Sequence, residues 1–537
     1  MKTLVSVYAA YSMDYDLKPI FGNQSSFDKV CDWINLLTIE KKCGQVDSVV
    51  IFTDLKRKAQ IEQATKDLSV SVNVISKDDW KSNSFLCELA ACSKEYDTVI
   101  HCRSGCPFYD PKLTADLYKL HKESAAEYTF ADGWPEGLAP CIVNSGTISI
   151  LASLSANAEP QKITSEIFFD AMKKDINSFE IETLMAKEDM RQYRFDFCCD
   201  SKAKTQLCKN LFQLVGGTGA SDDAFSANEI SAKAVFSSLT LRTLPTFYNV
   251  QISAWCPGTC SYCPYPKAYE NLYGHNPVQA KQLNPNCFMP KEKFANIVEN
   301  MASFSGEAVV ALSLWGEPLS HPDFLDCVAK VLEYSGLSVL VETDGTLVTE
   351  DLCKKLLACS EKASERRNGY PKIMWIISTD AVDQEMYSKM RGAGTPESPI
   401  SFPQANGAVD MLLRYFPGNV YAQFVRTQTN ECQLEAFYRK YKDSDAMIIQ
   451  KYDSFAGYMP DLSVTDLSPI IRNPCWHQRR DMAILVDGSV PFCREFLLEE
   501  TFGNVFSQSL EELWNLGKSM EYTEKCRNCD EYYTFNF

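Results

Sequence analysis

The sequence predicts an α/β protein in three parts: an N-terminal doubly wound domain, a partial (β/α)6 barrel and a small C-terminal cysteine-bearing domain. Three observations predict it. Short β-rich runs alternate with helix-length amphipathic segments along two separate stretches of the 537 residues, the pattern of sequential βα units. A small, polar, glycine-rich stretch, GGTGASDDAFSANE (216–229), lies between them and has the composition of a linker. From about residue 465 the alternation stops, and four spaced cysteines follow.

In the first stretch, LVSVYAA (4–10), DSVVIFTD (47–54), VSVNVIS (70–76) and YDTVIHC (96–102) read as strands. Between them SFDKVCDWINLLTIEKK (26–42) sets Phe27, Val30, Trp33, Ile34 and Leu37 on one helical face. This domain is expected over 1–215, with a linker at 216–235. The second stretch, 236–464, offers six strands: FYNVQISA (247–254), AVVALSLW (308–315), SVLVET (338–343), IMWIIST (373–379), VYAQFV (420–425) and AMIIQKY (446–452). Parallel barrels carry their chemistry at the C-terminal strand ends. The chemically suggestive residues fall there: a cysteine loop after 254, WGEP after 314, ETDG at 342 and STDA at 378. The tail, 465–537, holds MAILVDGSVPFC, the helix SLEELWNLG and a terminal CRNC, too little to build a core without a metal staple.

Composition bounds the function. A net charge of −17 argues against nucleic acid or an anionic membrane surface as the main partner. Twenty-two cysteines in a long chain are not the density of a secreted disulfide scaffold. MKTLVSVYAAYSMDYD reads as a buried first strand rather than a leader, and no window reaches the roughly 18 apolar residues of a membrane span. A reducing cytoplasm is the expected setting, with cysteines as thiols or metal ligands.

CPGTCSYCPYP (256–266) then poses the central question, because it holds three cysteines and no fourth. Structural zinc needs four ligands; His275 or Cys287 would complete a set. Against zinc stand the lack of a second C-x-x-C nearby and the loop's position after the first barrel strand. C-x-x-x-C-x-x-C with an aromatic before the last cysteine, here Cys256, Cys260, Tyr262 and Cys263, resembles the radical S-adenosylmethionine (SAM) family. The resemblance implies a [4Fe–4S] cluster held through three irons, the fourth chelating the amino and carboxylate groups of SAM. It further implies reductive cleavage to a 5′-deoxyadenosyl radical that abstracts a substrate hydrogen.

LWGEP (314–318) is similar to the family's G-G-E-P segment, which binds the methionine amino group; Trp315 replaces the first glycine, so Gly316, Glu317 and Pro318 carry over. A carboxylate there is suited to an ammonium. STDA (378–381) and QFV (423–425), with Ser378 and Gln423, fall where the family contacts ribose and adenine, although core strand ends account for them equally. Cys475, Cys493, Cys526 and Cys529 suit zinc or an iron–sulfur cluster alike. LVDGSVPFC…FGNVFSQSLEELW…CRNC resembles the SPASM or twitch extension, which implies one auxiliary [4Fe–4S] cluster with all four ligands supplied. His477 is read as a packing residue, and the remaining fifteen cysteines, Cys198 and Cys199 among them, as small apolar groups.

IHCRSGCPFYDP (100–111), TFADGWPEG (129–137) and YRFDFCCDSKAKTQL (193–207) resemble the sugar-nucleotide cytidylyltransferases. Gly105 stands where that family has its metal-binding aspartate, and AAYSMDYDLKPIFGNQSS lacks its Gly- and Arg-rich phosphate loop. Lys18 and Asp200 are the candidate remnants. The expectation is a degenerate nucleotidyltransferase-like domain, and the combination resembles the spiro-SPASM architecture. The predicted function is a radical SAM enzyme acting on an unknown substrate, with a peptide or protein favoured and an electron donor such as flavodoxin or ferredoxin required. The alternatives are a cytidylyltransferase-like protein with a metal-binding C-terminal half, and a zinc-stabilised scaffold without activity.

Overall fold

The computed structural model describes every residue except 1, 41–44, 157–160, 220–224, 236, 238–239, 241, 397, 466–474, 497, 499–500, 518–523, 530 and 532–537. The chain divides into two compact units, Met1–Thr243 and Leu244–Phe537.

The first unit is built on a mixed seven-stranded sheet of β1 (Lys2–Tyr8), β2 (Gln45–Asp54), β3 (Ser71–Lys77), β4 (Thr98–Arg103), β5 (Tyr128–Asp132), β6 (Cys141–Asn144) and β7 (Ile181–Met185), in the order β3-β2-β1-β4-β6-β5-β7. Strands β1 to β4 are parallel, and β6 runs antiparallel to both β4 and β5. Alternate side chains of β1 and β2 enter different cores. Val5, Val7, Val49 and Ile51 join Phe27, Trp33 and Ile34 of helix Ser26–Glu40 on one face. Leu4, Val50 and Phe52 meet Phe85, Leu86 and Leu89 of helix Ser82–Ser93 on the other. Two covered faces make this the doubly wound sheet expected.

The described end of the linker expected at 216–235 is folded. Residues Ala227–Val235 form a helix whose Ala227, Ile230 and Ala234 are buried with Phe21 and Phe212, and Ala227 N donates to Asp110 Oδ2 (2.8 Å). Composition hid this, because three small apolar residues spaced along one face suffice for a short packed helix.

The second unit carries six parallel strands in chain order: β8 (Phe247–Val250), β9 (Ala308–Leu312), β10 (Leu337–Thr343), β11 (Ile373–Ser378), β14 (Val420–Arg426) and β15 (Met447–Lys451). A two-residue hairpin, β12 (Gly394–Thr395) and β13 (Ser398–Pro399), interrupts them. The central strands are largely apolar, as strands covered on both faces are; Val339, Val341, Trp375 and Ile377 are all fully buried. This is the partial barrel expected.

The tail is less separate than its composition suggests. Its strand β16 (Asp481–Ile484) pairs in parallel with β8 and completes a seven-stranded sheet, β15-β14-β11-β10-β9-β8-β16. A hairpin of β17 (Ser489–Pro491) and β18 (Thr501–Asn504) follows. Leu510, Leu513 and Trp514 of helix Leu510–Leu516 then join the barrel's own core. Burying side chains of that size contributes ~1.5–3 kcal/mol each. Among the described residues, no helix is long and apolar enough to cross a membrane.

Candidate active site

The cysteine loop leaves β8 and is held from outside by the end of a helix. Thr259 N donates to Arg391 O (3.2 Å) and Ser261 N to Met390 O (2.8 Å). Those carbonyls belong to the last turn of helix Gln384–Arg391, where no intrahelical donor remains. Gly392 follows at φ +79°, and a Cβ there would lie 2.3 Å from Thr259 Oγ1, so glycine alone permits the approach. Inside the loop, Cys256 and Cys260 turn their sulfurs about Gly258, 3.8 and 3.3 Å from where its Cβ would be. Burial pushes the Cys263 thiol up to about 12 and raises Cys260, where the Arg391 charge opposes the effect.

The segment after β9 forms the adjoining wall. Trp315 (φ +50°) and Gly316 (φ +80°) are both left-handed, and a Cβ on Gly316 would lie 2.0 Å from Ser253 O. This turn brings Glu317 N onto Trp255 O (2.7 Å) and drives its carboxylate inward. Glu317 Oε1 accepts from Thr343 Oγ1 (2.7 Å) and Leu319 N (3.0 Å), and Oε2 accepts from Asp344 N (3.0 Å). Burial first, and then the neighbouring Asp344 charge, push this carboxyl up to about 8. A buried acid held by three donors and still short of positive charge is suited to an ammonium group.

A charged triad braces the other side. Asp380 is fully buried at φ +54° and accepts from Tyr262 Oη (2.7 Å), Val425 N (2.7 Å) and Arg391 Nη1 (3.2 Å). Arg391 Nη1 also donates to Tyr262 Oη (2.6 Å), whereas its buried Nε has no hydrogen-bond partner. Ser378 Oγ donates to Gln423 Oε1 (3.1 Å), and Gln423 Nε2 donates to Gln450 Oε1 (2.7 Å).

All these strand ends open on one cavity of about 220 Å³. Of the residues singled out in the sequence, Cys256, Cys260, Tyr262, Cys263, Gly316, Glu317, Ser378 and Gln423 line it. Pro318 does not; it starts the short turn Pro318–Ser320 that lets the Glu317 carboxylate accept from Leu319 N. His275 and Cys287, the zinc alternatives, do not line it either. Sequence reasoning missed Arg391, Asp344, Glu342 and Asp453. The first lies far along the chain from the loop it touches, while Glu342 and Asp344 were present in ETDG as strand-end acids without an assigned role.

Cys475, Cys493, Cys526 and Cys529 come together around a second, smaller cavity of about 40 Å³. Cys475 precedes helix Trp476–Arg480, Cys493 follows β17, and Cys526 lies in helix Glu524–Asn528 with Cys529 just beyond it. His477 lines both cavities, and its Nδ1 lies 2.6 Å from Asp481 Oδ2. Among the described residues, no three His, Cys, Asp or Glu side chains converge as ligands of a single ion. A four-iron cluster asks for a wider arrangement, because each thiolate takes its own iron.

The radical SAM superfamily model matches residues 250–364, and the SPASM iron–sulfur cluster-binding domain matches 475–530. This chain belongs to the radical SAM superfamily. An uncharacterized protein of Treponema pallidum (strain Nichols) is 34% identical over 384 residues, 70% of this chain and 99% of that protein, and shares its family. Among solved structures, Streptococcus suis SuiB bound to the precursor peptide SuiA aligns over 75% of this chain and 91% of that one, at 13% identity and a TM-score of 0.40. A cytidylyltransferase from Leptospira borgpetersenii aligns over 43% of this chain and 92% of that one, at 15% identity and a TM-score of 0.34. Radical SAM membership makes this chain an enzyme that uses a [4Fe–4S] cluster and SAM, and the SPASM match implies auxiliary iron–sulfur binding.

In the first unit, the residues that the sequence likened to cytidylyltransferase positions are packed against neighbouring groups. A Cβ on Gly105 would already lie 2.8 Å from Cys198 Sγ and 3.2 Å from Cys199 N, which leaves no room for an aspartate. Asp200 pairs with Lys204 (3.0 Å), and Lys18 is exposed over the Tyr15 ring. Behind β1, the buried Asp16 accepts from Ser104 Oγ (2.5 Å) and from Arg57, a carboxylate where a phosphate cradle needs N–H donors.

Proposed function

We propose that Cys256, Cys260 and Cys263 hold the cluster that binds SAM, and that the enzyme removes a hydrogen atom from a substrate seated in the same cavity. One observation carries this reading: the three cysteines, Glu317, Ser378 and Gln423 come from four different segments of chain and line one cavity. When bound and reduced, the cluster with SAM supplies a 5′-deoxyadenosyl radical. The chain's own groups do the positioning. Glu317 faces the ammonium of SAM, and its three donors fix the carboxylate's direction before any ligand arrives. Arg391, held by Asp380 and Tyr262 with one N–H still free, suits the SAM carboxylate. Glu342, Gln423 and Gln450 offer hydrogen bonds towards the outer part of the cavity. Cys475, Cys493, Cys526 and Cys529 hold one auxiliary cluster with no position left for substrate, which suits electron transfer. A peptide or protein substrate is the reading that a SPASM-type tail favours.

Anaerobically reconstituted protein tests this. It should carry about eight irons with matching sulfide, convert SAM to 5′-deoxyadenosine under dithionite, and drop to about four irons when Cys256, Cys260 and Cys263 are all changed to Ala. Stoichiometric zinc, or no 5′-deoxyadenosine from fully loaded protein, would refute it.

A further inference from the structure

Part of the cavity wall is made by the segment after β15. Phe455, Ala456 and Gly457 are consecutive left-handed residues, with φ of +52°, +53° and +84°, and two of them are not glycine. Such backbone persists only where its surroundings impose it. Here Phe455 N donates to Asp453 Oδ1 (2.8 Å), and Met459 N donates to Ser454 O (3.0 Å). The turn lays the Phe455 ring on Trp315 at 5.4 Å between centroids, and Trp315 stacks in turn on Tyr265 at 5.9 Å and 6°.

The same segment directs Asp453 into the cavity. Its side chain lines the wall with the residue 7% exposed, and Oδ2 has no hydrogen-bond partner. The nearest cation is Arg494, whose Nη2 lies 3.6 Å away, beyond hydrogen-bond reach. That guanidinium is engaged elsewhere, with Glu531 at 2.5 Å and Glu495 at 3.1 Å. Lys451 is likewise occupied by Glu531 (2.8 Å). Around Arg494 stand the carboxyls of Glu342, Asp453, Glu495 and Glu531; among the described residues the cations acting on them are Arg494, Lys451 and Arg391, with His477 beside Glu495 and Glu531. Burial first, and then Glu495 and Glu531, hold the Asp453 carboxyl well above the ordinary range, although Arg494 acts the other way.

We propose that this outer wall recognises a cationic group of the substrate, a primary amine or a guanidinium, through the Asp453 carboxylate and the faces of Trp315 and Phe455. A hydroxyl would fill the hydrogen bond at Oδ2 but leave the surplus of carboxyls unopposed. A cation meets both needs, and aromatic faces attract it further. The inference rests on the reading above, that substrate sits in this cavity beside SAM.

The test uses the reconstituted, SAM-loaded, unreduced enzyme, so that binding is read without turnover. Ligand-observed NMR titrations compare Nα-acetyl-lysine methylamide with the uncharged Nα-acetyl-norleucine methylamide, and glucosamine with glucose. The charged member of at least one pair should bind at least roughly thirtyfold tighter, the cost typical of leaving one partner of a buried charge pair unpaired; which pair responds tells a peptide-borne amine from a small amino sugar. Asp453→Asn keeps the acceptor for Phe455 N and should shrink that preference to under about threefold, while Phe455→Leu should reduce it part-way. SAM affinity should stay unchanged in both variants. Equal binding within both pairs, an Asp453→Asn preference like the parent's, or an equal loss of SAM affinity would overturn the proposal. Iron content and SAM affinity are measured on the same samples, so a protein that takes up neither refutes the radical SAM site assignment, and a loaded protein without preference refutes the cation site alone.

Discussion

Gly316 has a Cβ direction blocked by a backbone oxygen at 2.0 Å and a left-handed φ, so no side chain fits without moving β8 or the turn. Gly316→Ala is expected to lower stability by ~1–3 kcal/mol and SAM affinity by at least roughly tenfold, read by chemical denaturation and calorimetric titration. Glu317 gives a pH signature in the cofactor-free protein. Below its ordinary value of 4.5, folded and unfolded chains both carry the proton; between 4.5 and about 8 only the folded chain does. Stability should therefore fall as pH rises through that window and level off above it. Glu317→Gln should flatten this part of the profile, and a parent profile that rises instead would reject the assignment. Single residues of this kind were half legible in the sequence. Gly316 and Glu317 stood in a quotable motif, whereas Pro318 in the same motif supports the turn without touching the cavity.

At the scale of elements, the helix Gln384–Arg391 shows why part of the site was invisible. Strand ends could be read from alternation, and their cavity residues followed. This helix supplies two carbonyls and a guanidinium to a loop that precedes it by more than a hundred residues. No periodicity encodes such a return; it depends on β11 lying where the sheet order sets it. Asp380→Ala would leave the Arg391 charge buried, with Tyr262 as a neutral partner. It is expected to cost ~3–5 kcal/mol and to loosen the cysteine loop. Denaturant midpoints, together with faster iron loss to a chelator, check both effects. The end of the expected linker, 216–235, misled in the opposite direction, since its composition gave no sign that Ala227, Ile230 and Ala234 pack as a helix.

Across the whole molecule, every candidate cluster and SAM residue lies in Leu244–Phe537. That unit expressed alone is expected to take up the same iron and SAM as the full chain, measured by iron assay and titration. The filled loops at Gly105 and Asp16 predict no pyrophosphate release from CTP with Mg²⁺ and a sugar acid by the full chain, and a phosphate-release assay coupled to pyrophosphatase decides that. Fold class was the most legible property, because the central parallel strands bury both faces and so advertise themselves as apolar runs.

The pairing of β16 with β8 has a consequence for biosynthesis. The strand that carries the three-cysteine loop waits for its outer neighbour until more than two hundred further residues have been made, roughly 10–50 s at ordinary elongation rates. During that interval the thiols stand on an unpaired sheet edge, open both to iron delivery and to oxidation. Ribosome-bound chains halted before Asp481 should therefore label faster with a thiol reagent at Cys256, Cys260 and Cys263 than full-length released chains, in which these cysteines are half-buried. The order of synthesis thus gives the assembly machinery a window that closes when the tail docks.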